Sequence, residues 1–381
     1  MNKEDLFSSL IYILMGTIII IVGLTVFRPA IESGYLSTNQ GTNFGFVLLA
    51  LLIGILINVL FMEIGHAIGA KIGKYEVLSI NMLGFCLYKV KHYDTGKKYF
   101  KFKFTSFNGL AGETKIAPKS EKSYPMTFVF MPLVLILLEF VALYCVNIFI
   151  KDSTSAKNLM FIKYGITIVA TVGACFLLYN YFPAKLDSMT DGYRLIALSK
   201  KINSGAFNEK LAIEASEYYQ EDYQDMKVFD EITDFTAQVN LITALMYYRK
   251  GDTEKALEII DNLLDNEKKI AKSTVREVKF NKIFITFMTK DVQEGEKLIR
   301  ELNDDEMSVL RSCKTTIAIR TYILYIGLIE KSYSEIQYAL SKKKKAAERL
   351  NPGEALKEIN LIDSAVQKVK DTYPNIDKKA E

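Results

Sequence analysis

Glu63 and His66 are the residues whose chemistry and spacing stand out in this sequence, within the stretch Met62-Glu63-Ile64-Gly65-His66. Residues three apart on a helix lie on the same face, so the carboxylate and the imidazole would point in one direction. The pair matches the second part of the zinc-binding pattern H-E-x-x-H, in which the glutamate is a general base toward water. Met62 stands where the first histidine would be, and a thioether is a soft ligand that suits copper(I) better than zinc.

A third metal ligand would have to come from another part of the chain, and Asp191 is the candidate. It follows Asn180-Tyr181-Phe182-Pro183, where an asparagine and a proline predict the end of a helix. This break would let the aspartate turn back toward His66. One histidine and one carboxylate are fewer than the three protein ligands of a usual catalytic zinc site. Zinc is the cofactor that the partial H-E-x-x-H pattern predicts, with one of its usual ligands absent.

His92 and Glu139 are two further polar residues that could contribute to the site. His92 is the other histidine of the chain, and it could fold back as a replacement ligand or be a solvated loop residue. Glu139 interrupts an apolar segment, where a carboxyl group costs roughly 2.5–3.5 kcal/mol unless it is paired or protonated. It could line a substrate cavity or form a hydrogen-bonded contact between helices. The sequence leaves both pairs of alternatives open.

Four long apolar segments predict a mainly α, polytopic protein of the cell membrane. The predicted helices cover about residues 6–27, 44–70, 126–150 and 164–182. The loop of residues 71–124 carries eleven lysines against four acidic residues, and such loops favour the cytoplasmic side. This orientation places both termini in the cytoplasm. Glu63 and Asp191 then lie at the cytoplasmic ends of the second and fourth helices.

Residues 75–105 predict a small β insertion at the membrane surface. The segment 99–105 alternates phenylalanine with lysine, which places the aromatic rings on one face of a strand and the lysines on the other. Asp94-Thr95-Gly96 predicts a turn before it. The aromatic face could meet lipid, or an exposed strand edge could bind an extended peptide by strand addition.

The remainder of the chain, residues 206–381, predicts a soluble, all-α helical-repeat domain after the membrane-embedded domain of residues 1–200. A turn at Lys250-Gly251-Asp252 precedes a helix that carries Ala256, and a similar pattern recurs 39 residues on, with Gly295 in place of the alanine. The pattern is similar to tetratricopeptide repeats, although their period is about 34 residues. Such arrays commonly bind a peptide or protein partner. The alternative is a compact helical bundle without a groove.

Charge and cysteine content argue against two other classes of function. The formal net charge of +4 is too small to indicate binding of nucleic acid. The four cysteines are scattered and include no C-x-x-C pair. Neither a disulfide framework nor a cysteine-based zinc site is therefore expected.

The motif Glu63-x-Gly65-His66 on one membrane helix, together with Asn180 and the Asp191-Gly192 pair after a later one, resembles the site-2 protease family of intramembrane zinc metalloproteases. The resemblance covers roughly residues 44–200, and the β insertion is similar to that family's membrane-associated sheet. It implies Glu63 as general base, His66 and Asp191 as zinc ligands, and Asn180 as a contact to the substrate backbone. The eleven residues from Asn180 to Asp191 are a longer spacing than the family's usual one.

Three hypotheses for the function follow. The first is a zinc metalloendopeptidase that cleaves a membrane-associated peptide or protein near the cytoplasmic face. The second is a catalytically inactive pseudoprotease that binds or regulates a peptide. The third is a membrane-anchored helical-repeat scaffold, in which the apolar half of the chain is mainly an anchor.

Overall fold

A computed structural model describes most of the chain. The described residues are 3–32, 38–92, 95–105, 112–120, 122–151, 160–183, 189–221, 223, 226–348, 350 and 352–376. The chain divides into two compact units, Met1–Ser204 and Gly205–Glu381, here called the first and second units.

The first unit contains long apolar helices. Helix α1 (Lys3–Val22) continues through a π-helical segment (Gly23–Phe27) into α2 (Arg28–Glu32), and it is followed by α3 (Gln40–Ile72), α4 (Pro125–Lys151), α5 (Met160–Tyr181) and the short α6 (Asp191–Ala197). In the part of the chain that the structure describes, four segments are long and apolar enough to cross a membrane. They are Ser9–Glu32, Gln40–Ile72, Pro125–Ile150 and Met160–Tyr181, with mean hydropathies of 1.9 to 2.8. The prediction of four candidate membrane helices is confirmed.

Helix α3 is the central helix of this unit, because it packs against both α4 and α5. Gly65, Gly69 and Gly73 follow one another at intervals of four residues and therefore share one face. This face lies directly against α4 and the residue that precedes it: a Cβ on Gly65 would overlap Pro132, and one on Gly69 would overlap the backbone of Thr127. Small residues at this spacing allow the close approach of helices that is typical of membrane interfaces.

We expect Gly69→Ala to destabilise the first unit by about 1–3 kcal/mol, because the added methyl group meets the carbonyl oxygen of Thr127, which cannot rotate away. Thermal unfolding in detergent measures the effect. Gly45→Ala is the matched control on the same helix, since nothing lies within 4 Å of a Cβ at that position. Equal stabilities of the two variants would contradict the close packing of α3 on α4.

A four-stranded antiparallel sheet follows α3. Its strands are β1 (Tyr75–Met82), β2 (Phe85–Lys91), β3 (Lys98–Phe104) and β4 (Glu113–Pro118), in the order β3-β2-β1-β4. The small sheet was predicted, but β4 lies beyond the predicted limits of 75–105. Leu83 and Gly84 connect β1 to β2 with φ angles of +52° and +85°, which fits the type I′ turn of a two-residue hairpin. Of the turn predicted before β3, Asp94 lies outside the described residues.

The β2–β3 hairpin has an aromatic face. Phe85 pairs with Phe104, and Leu87 pairs with Phe102, so the alternation of strand residues puts these four side chains on the same side of the sheet. All four are exposed, and Phe104 retains 77% of its accessible surface. That this face meets lipid remains a prediction.

Glu76 on β1 connects three strands of the sheet. It accepts hydrogen bonds from Lys89 Nζ at 3.1 Å and from Lys98 Nζ at 2.9 Å. Burial alone would raise the pKa of Glu76, but the two lysines outweigh it and the pKa is lowered. Glu76 is therefore an anion that holds β2 and β3 to β1 at neutral pH.

The second unit is helical, and the division between the units falls within α7. Its helices are α7 (Lys201–Tyr218), α8 (Asp234–Arg249), α9 (Thr253–Asp265), α10 (Lys272–Thr289), α11 (Val292–Arg300), α12 (Asp304–Ser312), α13 (Thr316–Tyr325), α14 (Tyr333–Ala347) and α15 (Pro352–Thr372). Consecutive helices pack on one another from α8 to α11 and from α12 to α15. Ala256 is fully buried, and a Cβ on Gly295 would overlap the ring of Phe287. Small residues thus lie at close helix contacts, while the helical repeat itself remains a prediction.

Candidate functional site

Helix α3 places Met62, Glu63 and His66 inside the first unit. Their exposed fractions are 7%, 4% and 7%, although many of the apolar side chains of the same helix are exposed. The His66 ring packs on Phe128 of α4, with the ring centroids 4.7 Å apart. His66 Nδ1 lies 3.1 Å from the carbonyl oxygen of Phe128. A carbonyl oxygen only accepts, so Nδ1 carries the hydrogen in this bond.

Asp191 is the first residue of α6, and the chain before this helix is fixed to the end of α5. The Thr190 hydroxyl accepts a hydrogen bond from the backbone N–H of Tyr193 at 3.2 Å and thereby caps the helix. The same hydroxyl donates to the carbonyl oxygen of Phe182 at 2.7 Å. Gly192 lies so close to the backbone of Tyr181 that a Cβ would overlap it. These contacts return the chain to α5, and Asp191 is buried there.

The structure brings Asp191 to His66: Asp191 Oδ2 lies 3.4 Å from His66 Nε2. On its other side, Asp191 Oδ1 lies 3.4 Å from Arg194 Nη1. Burial would raise the pKa of Asp191, but His66 and then Arg194 outweigh burial, so the pKa is lowered. Asp191 is therefore an anion that faces the imidazole.

The pair His66 and Asp191 has the spacing of two zinc ligands. Two atoms bound to one tetrahedral zinc ion at about 2.0–2.1 Å are about 3.3–3.4 Å apart, and His66 Nε2 and Asp191 Oδ2 are separated by 3.4 Å. The nitrogen and oxygen donors suit zinc as well. At the position of the usual first histidine, the Met62 thioether does not.

The Glu63 carboxylate is fixed by strand β4. Thr114 donates a hydrogen bond from Oγ1 to Glu63 Oε2 at 2.5 Å. Gly112, just before the strand, packs against the same side chain so closely that a Cβ would overlap it. Glu63 is nine residues, about 13 Å, before the end of α3 at Ile72. The sheet therefore runs back alongside α3 to reach this carboxylate.

Asn180 contacts the position of the missing histidine. Its Nδ2 lies 3.5 Å from Met62 Sδ and 3.0 Å from the carbonyl oxygen of Phe176, to which it donates. These two contacts account for both hydrogens of the amide nitrogen. The predicted residues Met62, Glu63, His66, Asn180 and Asp191 are thus neighbours around one buried region.

His92 and Glu139 are not brought to this region. His92 is exposed in the connection between β2 and β3. Leu87 and Thr114 lie in the same row of paired residues across the sheet. His92 is five residues, or about 17 Å, further along the chain than Leu87. Glu139 is buried in α4, eleven residues or roughly 16 Å along the helix from Phe128. Neither of its carboxylate oxygens has a hydrogen-bond partner among the described residues.

Four residues that the sequence analysis did not single out belong to this site. Thr114 and Arg194 hold the two carboxylates, and Phe128 accepts from His66. Tyr181 binds α4: its hydroxyl donates to Val129 O at 2.8 Å and accepts from the backbone N–H of Leu133 at 2.9 Å. A proline inside the apolar segment of α4 was the one sequence signal for an interrupted helix here.

Comparison with known proteins gives no relative: no family model, curated protein or solved structure matches the chain. Among the residues with a described position, no group of three or more His, Cys, Asp or Glu side chains could hold a metal ion. The resemblance to site-2 proteases therefore depends on the residues of the site alone.

Proposed function

We propose that the first unit is an intramembrane metalloprotease of the site-2 type, which acts on a membrane-associated peptide or protein near the cytoplasmic face. The observation that carries the proposal is the approach of His66 and Asp191 to 3.4 Å, beside the buried Glu63. Burial of two carboxylates and an imidazole in an apolar unit is costly unless they bind something together. The cytoplasmic side is inferred from the lysine-rich loop of residues 71–124.

His66 Nε2 and Asp191 Oδ2 would hold the zinc ion, which as a Lewis acid would polarise the scissile carbonyl group when bound. Arg194 and Phe128 act behind them. Phe128 O orients the imidazole so that Nε2 faces Asp191, and Arg194 fixes the other oxygen of that carboxylate. Outer contacts of this kind hold ligands in the geometry that a metal requires.

Glu63 is the proposed general base. Thr114 occupies Oε2, and this hydrogen bond leaves Oε1 to take the proton from the attacking water and to return it to the leaving amine. Because Gly112 and Thr114 enclose the side chain, Glu63 has little freedom to rotate away. A base that is already held in its reactive orientation avoids the entropic cost of being oriented during the reaction.

The substrate would bind in extended form along β4. This strand is at one edge of the sheet, and Thr114 in it touches the general base. An edge strand offers backbone N–H and C=O groups to an extended peptide, which would align the peptide beside Glu63. Asn180 Oδ1 could accept a hydrogen bond from the peptide backbone, since the amide hydrogens face Phe176 and Met62.

A second candidate function is peptide binding without cleavage. The observation that favours it is the contact of Met62 Sδ with Asn180, which gives the thioether a role inside the site other than metal ligation. With only His66 and Asp191 as ligands, zinc would be held more weakly than in a site with three protein ligands. The β4 edge could still bind a peptide in such a pseudoprotease.

The zinc content of the purified full-length protein tests the proposal. We expect close to one zinc per chain after equilibration with micromolar zinc, and loss of most of it in Asp191→Ala and His66→Ala. Glu139→Gln is the matched control, because it changes a buried carboxyl group of the same unit that lies away from the site. Zinc well below one per chain that is insensitive to Asp191→Ala would rule out the metalloprotease. Bound zinc without any cleavage sensitive to Glu63→Gln would instead favour the second candidate.

A further inference from the structure

Helix α4 has an interrupted hydrogen-bond ladder at Pro132. In an α-helix each backbone N–H donates to the carbonyl oxygen four residues earlier. Proline has no N–H, so the residue at position 132 cannot donate to Phe128 O. This carbonyl oxygen lies at the depth of the candidate site, and in an apolar environment it needs another donor.

His66 supplies that donor. Its Nδ1 lies 3.1 Å from Phe128 O, on a different helix. With Nδ1–H bound to this carbonyl oxygen, the ring turns Nε2 toward Asp191 Oδ2, which lies 3.4 Å away. The carbonyl group that proline leaves without its helical donor therefore decides which nitrogen of His66 faces the aspartate.

At the next position of the same helix, the Tyr181 hydroxyl of α5 contacts both Leu133 N–H and Val129 O. Leu133 N–H would ordinarily donate to Val129 O, but it donates to the Tyr181 hydroxyl at 2.9 Å, and that hydroxyl donates to Val129 O at 2.8 Å. An inserted side chain of this kind keeps a helix bent. Gly65 completes the arrangement, because any side chain there would overlap Pro132 and push α4 away from α3.

We propose that Pro132 is a positioning residue for His66: it frees the Phe128 carbonyl oxygen to bind Nδ1 and so directs Nε2 toward Asp191. Tyr181 holds the opened turn in place. The consequence for metal binding rests on the proposed function, whereas the hydrogen bond and the tautomer do not. Pro132→Ala restores an N–H that competes with His66 for Phe128 O.

The tautomer of His66 can be read by ¹⁵N NMR of the imidazole in the metal-free, full-length protein. The chain has two histidines, so a His92→Gln background leaves His66 as the single labelled ring. When the ring carries one hydrogen, the Phe128 carbonyl oxygen favours the form with hydrogen on Nδ1 and Asp191 favours the form with hydrogen on Nε2, so the ratio of the two forms reports on their balance. Pro132→Ala should shift the ratio of the two tautomers about tenfold toward Nε2–H, because the hydrogen bond from Nδ1 to Phe128 O is lost and one such bond is worth up to about a factor of ten in an equilibrium.

Pro125→Ala is the matched control, because Pro125 is the first residue of the same helix, where an N–H has no helical acceptor. It should leave the tautomer ratio unchanged. If Pro132→Ala does not fold, Tyr181→Phe gives the second test, since Tyr181 holds the opened turn in which Phe128 O meets His66 Nδ1 and loss of its hydroxyl should shift the ratio in the same direction. A ratio within twofold of the unaltered protein in every folded variant would overturn the proposal.

Zinc affinity, measured separately, should fall about tenfold in Pro132→Ala. A tautomer shift in a protein that binds no zinc would leave this proposal standing and would rule out the metalloprotease.

Discussion

Met62→His is expected to bind zinc roughly 100-fold more tightly than the unaltered protein. Met62 is buried one helical turn before His66, and its sulfur atom lies beside Asn180 at the border of the site. An imidazole at this position could join His66 Nε2 and Asp191 Oδ2 around one ion. Zinc binding is worth about 10–16 kcal/mol in four-ligand sites, or roughly 2.5–4 kcal/mol for each ligand, and the lower figure corresponds to about 100-fold.

Competition with a chelator of known affinity measures this effect in the full-length protein. Ile64→His is the matched control, since it adds a histidine to the same helix at an exposed position. A change of less than threefold in Met62→His, or an equal gain in Ile64→His, would show that position 62 does not reach the metal.

The same variant also separates the two proposed functions. If the unaltered protein does not cleave peptides but Met62→His does, and Glu63→Gln in that background abolishes the cleavage, the native chain is a pseudoprotease. If Glu63→Gln abolishes an activity that the unaltered chain already has, the native chain is a protease with an unusual ligand set. In either case, loss of cleavage in Glu63→Gln would identify Glu63, which Thr114 holds in place, as the base.

Glu358→Leu is expected to destabilise the second unit by about 3–5 kcal/mol, because it leaves the buried charge of Arg320 without its carboxylate. Arg320 has no exposed surface, and its Nε lies 3.3 Å from Glu358 Oε2. Its guanidinium group also stacks on Phe284 and donates to Asn281 Oδ1. Burial lowers the pKa of Arg320, and Glu358 is the larger of the two groups that oppose this shift, so removal of Glu358 leaves most of the cost of burial unopposed.

Hydrogen exchange of the α13 and α15 amides, followed by mass spectrometry, measures the loss of stability; a fluorescence assay based on tryptophan is ruled out, because the chain has none. The double variant Arg320→Leu/Glu358→Leu should recover most of the loss, since two apolar side chains leave no buried charge. Arg300→Leu is the control: its ion pair with Glu296 is exposed and should contribute at most about 0.5 kcal/mol. Equal effects of Glu358→Leu and Arg300→Leu would refute a special role of the buried pair.

Much of the first unit could be predicted from its sequence, for reasons that are local. The candidate membrane helices follow from runs of apolar residues, and β3 follows from the alternation of phenylalanine with lysine. Strand β4 has the sequence Glu-Thr-Lys-Ile-Ala-Pro, which has no comparable alternation of apolar and polar residues. Thr114, and with it the hydrogen bond to Glu63, was therefore not predicted.

The predicted alternatives for His92 were decided by the register of the sheet. From the row of paired residues that contains Thr114, strand β2 continues away from the site. His92, which follows the end of β2, therefore lies far from Glu63. Glu139 was expected either in a cavity wall or between helices, and it is buried within α4 without a hydrogen-bond partner among the described residues. Its distance along the helix from Phe128 separates it from the site.

The sequence by itself determined the candidate membrane helices and the chemical types of the site residues, because hydropathy and ligand chemistry belong to short stretches of chain. Only the tertiary structure decided that His66 and Asp191, 125 positions apart in the sequence, lie 3.4 Å from each other. That distance depends on the close packing of α3 on α4, on the return of the chain from α5 to α6, and on a carbonyl oxygen that Pro132 leaves free. Each of these is a contact between distant segments, and no local pattern of residues specifies it.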